Sequence, residues 1–248
     1  MLKLEEWEKV GVSKLAISKK SNKKKLLDSK RKLVAKYDPK SPISEQYRTI
    51  RTNILFSSVD EEIRSIMVTS SGPGEGKSTT TANLAVVFAQ QGKTVLLVDA
   101  DLRKPTVHYT FKLTNTIGLT SLLTNQNELM EVINKTDEEN LFVLSSGPVP
   151  PNPSELLGSR AMKHFMEKAL EEFDLIIFDT PPVLAVTDAQ ILGNICQGSI
   201  LVVGSGKAEK DALLRTKELL LATKGKIMGV VLNNKKPDKN GTYYYYGN

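Results

Sequence analysis

The chain has 248 residues, 40% of them apolar and 25% charged, which is typical of a soluble globular protein with one large domain. Its single cysteine, Cys196, excludes an internal disulfide and favours a reducing compartment. No apolar run approaches the roughly 20 residues of a membrane helix, and the N-terminus lacks the apolar stretch of a secretory signal. We therefore expect a cytoplasmic protein.

Positive charge is concentrated at the N-terminal end. Residues 1–40 contain 13 Lys or Arg against 5 Asp or Glu, a balance of +8. Because the whole chain carries +6, residues 41–248 carry about −2. We interpret residues 1–40 as a basic, flexible extension that is either merely solvated or a tether to an anionic membrane surface. The remainder has no basic surplus, so nucleic acid is not an expected partner.

A helix is predicted over residues 44–56, at the start of the folded domain. Tyr47 and Ile54 are seven residues apart and therefore share one helical face. Ser41 and Ser44 are both candidate N-caps, because a serine oxygen accepts a bond from an unpaired N–H of the first turn. This helix precedes the first predicted strand.

A glycine-rich segment, Ser-Ser-Gly-Pro-Gly-Glu-Gly-Lys-Ser-Thr at residues 70–79, lies between an apolar run at 66–68 and a helical run at 80–91. Strand, glycine-rich loop, Lys-Ser and helix together are the context of a phosphate-binding loop. Glycines let backbone N–H groups approach the phosphates, and the helix N-terminus adds unpaired donors. Ser71 stands where the strict pattern has Gly. The expected nucleotide contacts are Gly72, Pro73, Gly74, Glu75, Gly76, Lys77, Ser78 and Thr79, with Lys77 reaching the β- and γ-phosphates and Ser78 binding Mg²⁺.

Two further apolar runs end in acidic residues. Asp99 and Asp101 follow the run at 95–98, and Asp179 closes the run at 175–178. Ligands of open α/β sheets bind outside the carboxyl ends of the strands, where the phosphate loop also lies. Three carboxylates at one place repel one another unless a cation compensates, and Mg²⁺ prefers oxygen ligands. The sequence therefore predicts a Mg-nucleotide site, with Ser78, Asp99 and Asp179 near the metal, directly or through water.

Strand-like and helix-like runs alternate along the whole chain. The strand-like runs without polar alternation fit strands buried on both faces. This order predicts an α/β fold of the P-loop NTPase type, a doubly wound and mostly parallel sheet with helices on both faces. Strands are expected at 65–69, 94–99, 141–144, 175–179, 199–203 and 226–232, and helices at 78–91, 154–172 and 208–223.

The C-terminal end differs from the rest of the chain. We place the folded domain at residues 41–234 and a flexible, tyrosine-rich tail at residues 235–248. Polar and turn-forming residues precede four consecutive tyrosines, Tyr243, Tyr244, Tyr245 and Tyr246. Such a segment can bury little surface against its own domain, so the tail by itself indicates only a mobile terminus.

From residue 41 to the C-terminus, the chain resembles the bacterial tyrosine kinases (BY-kinases) of capsule and exopolysaccharide synthesis, in particular the cytoplasmic catalytic subunit of Gram-positive bacteria. Residues 70–79 are similar to the Walker A motif of that family, residues 96–103 to its second acidic motif and residues 175–179 to its Walker B motif. The tyrosine-rich tail completes the resemblance. The helix at 44–56 carries a similar Glu-x-x-Arg-x-x-Arg motif, at Glu45, Arg48 and Arg51.

The resemblance implies an ATP- and Mg²⁺-dependent protein-tyrosine kinase. It implies that Tyr243–Tyr246 of one copy are phosphorylated by a neighbour in a ring-shaped homo-oligomer, with Glu45, Arg48 and Arg51 at the subunit interface. It also implies protein substrates in polysaccharide synthesis and a separate membrane-spanning activator that recruits the chain to the inner face of the membrane. Asn233, after the last strand, corresponds to a position that contacts adenine in relatives. From helical spacing alone, an exposed face with an internal Glu–Arg pair is the simpler interpretation of the motif.

The catalytic roles follow from the chemistry of phosphoryl transfer, in which positioning and charge neutralisation dominate. Lys77 would hold the phosphates, and Asp179 and Asp99 would lie near the metal. Asp101 or Asp99 is expected to orient the tyrosine hydroxyl. Arg103 is interpreted either as a partner of these carboxylates or as an exposed surface residue.

Two other functions compete with a kinase. One is a MinD/ParA-like positioning ATPase, but those relatives carry Lys at the second loop position, where this chain has Gly72. The other is a regulatory nucleotide-binding module with little turnover, which the full set of predicted catalytic residues disfavours.

Overall fold

The computed structural model describes residues 33–57 and 61–235. The predictions for residues 1–32 and for the tail tyrosines Tyr243–Tyr246 lie outside the described residues. The strands are β1 (Ser65–Ser70), β2 (Val95–Asp99), β3 (Ile133–Lys135), β4 (Leu141–Leu144), β5 (Leu175–Asp179), β6 (Gly198–Gly204) and β7 (Lys226–Asn233). The helices are α1 (Val34–Tyr37), α2 (Pro42–Phe56), α3 (Lys77–Ala89), α4 (Val107–Phe111), α5 (Leu119–Leu123), α6 (Leu129–Val132), α7 (Pro153–Leu157), α8 (Arg160–Glu172), α9 (Asp188–Gly193) and α10 (Lys210–Leu221).

The strands form one sheet in the order β3-β4-β2-β5-β1-β6-β7. β3 runs antiparallel to β4, and the other neighbouring pairs are parallel. Side chains alternate between two cores, one on each face of the sheet. On β2, for example, Leu96 and Val98 belong to one core and Val95 and Leu97 to the other. The predicted α/β, doubly wound fold is confirmed.

The six predicted strands agree with the structure to within one residue at each end. The short edge strand β3 was not predicted, because three residues are too few to show a period. The helix predicted at 154–172 is two helices, α7 and α8. The break has a local cause, since Ser159 caps α8 by accepting a bond from the N–H of Met162.

The folded part of the chain begins earlier than predicted. Leu33 is 3% exposed and Ala35 is completely buried in the core that also holds α3. The backbone N–H of Ala35 donates to Asn83 Oδ1 at 2.9 Å. Within the described residues, Leu33 and Ala35 therefore pack as part of the domain and not as part of a flexible extension. Ser41, one of the two candidate caps, does cap α2.

The sheet order brings the predicted site together. β1 leads into the phosphate loop, its neighbour β5 ends at Asp179, and the next strand, β2, ends at Asp99. Asp99 and Asp179 are register partners in the β2–β5 pair. Within the described parts of the chain, none of the helices has the length and apolar character to cross a membrane.

Candidate nucleotide site

The phosphate loop occupies residues 71–76, between β1 and α3. Gly74 and Gly76 have φ of 74° and 98°, values that a side chain would strain. A Cβ on Gly76 would also lie 1.9 Å from Asn233 Nδ2. Only glycine fits at position 76, because both the backbone conformation and the available space exclude a side chain. The helix that starts at Lys77 directs its unpaired N–H groups towards this loop.

Glu75 stabilises the loop from inside. Its side chain is 3% exposed and accepts bonds from the N–H of Gly72 at 2.6 Å, the N–H of Gly204 at 2.8 Å and the hydroxyl of Ser71. The prediction placed Glu75 among the nucleotide contacts. In the structure the buried carboxylate accepts bonds from three donors of the protein itself, including the Gly72 amide, so this side chain maintains the shape of the loop.

Asn233 lies against the same loop. Its Nδ2 donates to the carbonyl of Glu75 at 2.9 Å. Asn233 is the last residue of β7, which explains how a residue so distant in sequence reaches the site. The nearby Lys207 donates to the carbonyl of Gly74 at 3.1 Å. Sequence reasoning missed Lys207, whose surroundings contain no recognisable motif.

Lys77 pairs directly with two of the three predicted carboxylates. Its Nζ lies 3.0 Å from Asp101 Oδ2 and 3.5 Å from Asp179 Oδ1. The ammonium also donates to Ser78 Oγ at 3.2 Å. The structure thus brings together, at the start of α3, the lysine, the serine and two of the aspartates that the motifs predicted.

Asp99 occupies a different position in the cluster. Its Oδ2 accepts bonds from the N–H groups of Thr106 and Val107 at 3.0 and 2.9 Å, and its Oδ1 accepts from the N–H of Asp101 at 3.3 Å. The carboxyl therefore closes the loop that follows β2. It makes no direct bond to Lys77, and it is 0% exposed.

The site contains more carboxyl groups than positively charged groups, and the pKa values reflect this imbalance. Burial raises the pKa of Asp99 to about 7, and the neighbouring Asp179 adds to the effect. Burial likewise raises the pKa of Asp179, although Lys77 opposes the shift. Burial alone would lower the pKa of Lys77, but Asp179 and Asp101 outweigh it and the pKa is above its usual value. One lysine thus faces three buried carboxyl groups, and an additional cation would be stabilised here.

The residues fit a magnesium nucleotide. Asp179 Oδ2 is buried and has no hydrogen-bond partner in the described part of the protein, so a buried carboxylate oxygen is left for a cation. Ser78 offers a hydroxyl beside it, and Mg²⁺ commonly uses such ligands together with phosphate oxygens. No group of three or more His, Cys, Asp or Glu within residues 33–57 and 61–235 is spaced to hold a metal without other ligands. A surface cavity of about 290 Å³ between α5, α6 and α8 contains none of the loop residues and is unrelated to this chemistry.

Arg103 is an exposed residue that pairs with a fourth carboxylate, Asp188, and hydrogen-bonds to none of the three predicted ones. It donates from Nε and Nη2 to the two carboxylate oxygens of Asp188, at 2.9 and 3.0 Å. Asp188 is completely buried. The interpretation of Arg103 as a partner of the three carboxylates was therefore wrong, whereas its exposure is confirmed, since its side chain is 38% exposed. Asp188 was missed because no motif includes it.

The Glu-x-x-Arg-x-x-Arg helix shows two kinds of contact. Arg48 forms an ion pair with Glu45 one turn earlier, as the simpler interpretation expected. Arg51 instead donates to the carbonyl of Val87 on α3 at 2.6 Å. Glu45 has a side chain 64% exposed, so it is accessible from outside. The role of these residues at a subunit interface stays a prediction.

Comparison with known proteins agrees with this geometry. A family model described as an AAA domain matches residues 63–207. The tyrosine-protein kinase YwqD of Bacillus subtilis (strain 168) is 57% identical over 217 residues, which cover 88% of this chain and 92% of the relative. The tyrosine-protein kinase CpsD of Streptococcus agalactiae is 40% identical over 205 residues, 82% of this chain and 88% of the relative.

Solved structures with the same fold include two that are closely similar. The kinase domain of the Escherichia coli tyrosine kinase ETK has a TM-score of 0.80 and 34% identity, covering 87% of this chain and 85% of that chain. The chimerical protein CapA2B2 has a TM-score of 0.79 and 48% identity, covering 82% and 89%. The cell division ATPase MinD of Pyrococcus furiosus is more distant, at 0.61 and 26%. With its phosphate loop, its paired carboxylates and these relatives, the chain belongs to the bacterial tyrosine kinase family.

Proposed function

We propose that this protein transfers the γ-phosphoryl group of Mg-ATP to tyrosine hydroxyls, first of all to Tyr243–Tyr246 of a neighbouring copy. The observation that carries the proposal is the contact of Lys77 with Asp101 and Asp179 at the mouth of the phosphate loop. Bound Mg²⁺ would supply charge neutralisation on the phosphates, held by Ser78 and Asp179. The tyrosine cluster is the acceptor that the sequence itself provides.

The loop and Lys77 bind and orient the phosphates in this account. The amides of the loop and of the first turn of α3 would bind the β- and γ-phosphates, and Lys77 would neutralise charge that spreads over the transferred group. When the nucleotide binds, the Lys77 ammonium would leave Asp101 and Asp179 and contact phosphate oxygens. This would require no large movement, because the ammonium already lies at the loop.

Asp101 is the group we assign to the tyrosine hydroxyl. A free tyrosine has a pKa near 10, so only about 0.1% is ionised at pH 7, and orientation of the neutral hydroxyl matters more than its prior deprotonation. Asp99, with a pKa raised to about 7, would be a stronger base. However, it is completely buried and bonded to its own loop, whereas Asp101 retains an exposed fraction of 5%.

A phosphorylated tail would weaken the assembly that produced it. Each phosphotyrosine carries about −1.5 to −2 charges, so four would place about −6 to −8 beside carboxylates that already lack compensation. Repulsion should then release the tail and loosen a ring whose contacts include Glu45, Arg48 and Arg51. If sedimentation gives the same oligomer for the fully phosphorylated protein and for a variant with Tyr243–Tyr246 changed to Phe, this regulation is refuted.

The setting of the reaction is also part of the proposal. We infer that a separate membrane-spanning activator recruits the chain to the inner face of the membrane, and that its protein substrates act in capsule or exopolysaccharide synthesis. The similarity to the tyrosine-protein kinase CpsD, and to a chimera whose name combines CapA and CapB components, supports this setting. A contribution from the basic residues 1–40 at an anionic lipid surface is compatible with it.

The proposal is tested by incubating the purified protein with Mg-ATP and the cytoplasmic segment of its activator and mapping phosphotyrosine by mass spectrometry. Phosphate is expected on Tyr243–Tyr246, and Lys77→Met should abolish it. ATP hydrolysis without any phosphotyrosine would instead favour a positioning ATPase. The distant similarity to MinD shows only that such a function is compatible with the fold.

A further inference from the structure

A hydrogen-bonded cluster beside the nucleotide site joins three separate segments of the chain. Arg103 donates two bonds to Asp188, at 2.9 and 3.0 Å, and a third to Ser154 Oγ at 3.0 Å. Ser154 Oγ in turn donates to Asp188 Oδ1 at 2.6 Å. We call these three residues the arginine cluster. Asp188 accepts from both partners, and its side chain is 0% exposed.

The members of the cluster follow three adjacent strands. Arg103 lies after β2, Ser154 after β4 and Asp188 after β5, and these strands are neighbours in the order β4-β2-β5. Segments that leave parallel neighbours in the same direction meet at one edge of the sheet. That edge is also where Asp101 and Asp179 approach Lys77, so the cluster lies next to the reacting groups.

The segment after β5 is attached firmly to the strand that carries the phosphate loop. The N–H of Thr180 donates to the carbonyl of Val68 at 3.1 Å, and the N–H of Val183 donates to the carbonyl of Ser70 at 2.9 Å. Val68 and Ser70 belong to β1. Asp188 therefore extends from a segment whose position relative to the loop is fixed.

The segment after β2 is held in a different way. The N–H of Lys104 donates to Asp101 Oδ1 at 3.0 Å, and the N–H of Thr106 donates to Asp99 Oδ2 at 3.0 Å. Both bonds close the segment on itself. Its first residues are anchored, because the N–H of Ala100 donates to the carbonyl of Asp179 at 2.9 Å and Leu102 is completely buried in the core. Arg103, two residues after Asp101, makes the side-chain bonds that reach the segment after β5.

We propose that the arginine cluster positions Asp101 for phosphoryl transfer, because Arg103 fastens the segment of Asp101 to the segment that follows Asp179. This inference deepens the proposed function and rests on it for the identity of the acceptor. Arg103, Ser154 and Asp188 are positioning residues, since they act on the reacting groups through Asp101. The planar, two-pronged contact of a guanidinium with a carboxylate fixes an orientation that an ammonium cannot fix.

The test compares Arg103→Gln, Arg103→Lys and Asp188→Asn with the control Lys93→Gln, which breaks the ion pair of Lys93 with Glu62 at 2.8 Å away from the site. Rates of ATP turnover and of phosphotyrosine formation are measured over a range of ATP concentrations. We expect kcat to fall about tenfold to a hundredfold in Arg103→Gln, because small misplacements of a catalytic group have effects of this size, while KM for ATP stays within about threefold of wild type. Lysine should restore little of the loss, and the control should match the wild type.

Hydrogen exchange of the free protein gives a second measurement that needs no activity. In Arg103→Gln, the amides of residues 100–107 should exchange faster, while those of α8 stay unchanged. An unchanged kcat in Arg103→Gln would overturn the inference. So would a kcat that returns to the wild-type value well below the unfolding temperature, because the loss would then come from unfolding. Unchanged exchange of the amides of residues 100–107 would also overturn it. If the wild type hydrolyses ATP without forming phosphotyrosine, the proposed acceptor is wrong, and the turnover rates and exchange still decide on the cluster.

Discussion

Buried Asp99 gives the nucleotide-free protein an unusual dependence of stability on pH. Its pKa is about 7 in the folded protein and 3.8 in an ordinary carboxyl group. Between these values the unfolded chain has lost the proton that the folded chain keeps. The contribution of Asp99 to the free energy of unfolding is therefore fully present below pH 3.8 and is lost as pH rises through about 7.

The size of the effect follows from the two pKa values. At about 1.4 kcal/mol for each pH unit, the full difference corresponds to about 4 kcal/mol, and the part lost between pH 5 and pH 8 is about 3 kcal/mol. In Asp99→Asn this part is missing.

Urea unfolding of the wild type and of Asp99→Asn, at pH 5, 6, 7 and 8 without nucleotide, measures the effect. The free energy of unfolding of the variant relative to the wild type should rise by about 3 kcal/mol across this range. The lost hydrogen bonds of Asp99 lower the stability of the variant by a similar amount at every pH, so the change with pH isolates the titration. A difference that stays constant within about 0.5 kcal/mol would refute the reasoning.

Three further predictions concern the loop. Lys77→Met should lower ATP turnover and phosphotyrosine formation at least about a hundredfold, measured by initial rates, because the phosphates lose their main charged partner; a loss below about tenfold would contradict this role. Gly76→Ala should weaken binding of a fluorescent ADP analogue at least about tenfold, since its Cβ would meet Asn233 at 1.9 Å. The matched control Gly92→Ala, with φ of 94° and nothing within 4 Å, should share the backbone strain and leave binding unchanged; equal effects on binding would contradict the steric explanation. Glu75→Gln should lower the free energy of unfolding by about 1–3 kcal/mol in urea titrations, because an amide N–H₂ replaces one acceptor among the buried donors; unchanged stability would show that the loop does not depend on this carboxylate.

The sequence was sufficient to predict contacts between residues that belong to motifs at the ends of parallel strands. The loop motif placed Lys77 at the start of a helix, and the acidic ends of two apolar runs placed Asp101 and Asp179 at the same edge. No knowledge of the strand order was needed, because all parallel strands present their carboxyl ends on one side. For this reason the contacts of Lys77 were predictable.

Contacts with residues that lie outside any motif were not predictable. Arg103 and Asp188 are 85 residues apart, and their pairing depends on β2 and β5 being neighbours in the sheet. The hydrogen bonds of the Glu75 carboxylate depend in the same way on the sheet order, because one of their donors is the amide of Gly204 at the end of β6. The packing of Leu33 and Ala35 on the domain was missed because α1 (Val34–Tyr37) is too short to show a period.

The most direct test of the central claim mixes two variants of the protein, neither of which can phosphorylate its own tail. One copy carries Lys77→Met and retains its tyrosines; the other has Tyr243–Tyr246 changed to Phe and retains its active site. With Mg-ATP and the cytoplasmic segment of the activator, the account predicts phosphotyrosine on the tail of the Lys77→Met copy, with neither copy labelled on its own tail when incubated alone. An unlabelled tail in the mixture, under conditions where the wild type is labelled, would contradict phosphorylation between copies.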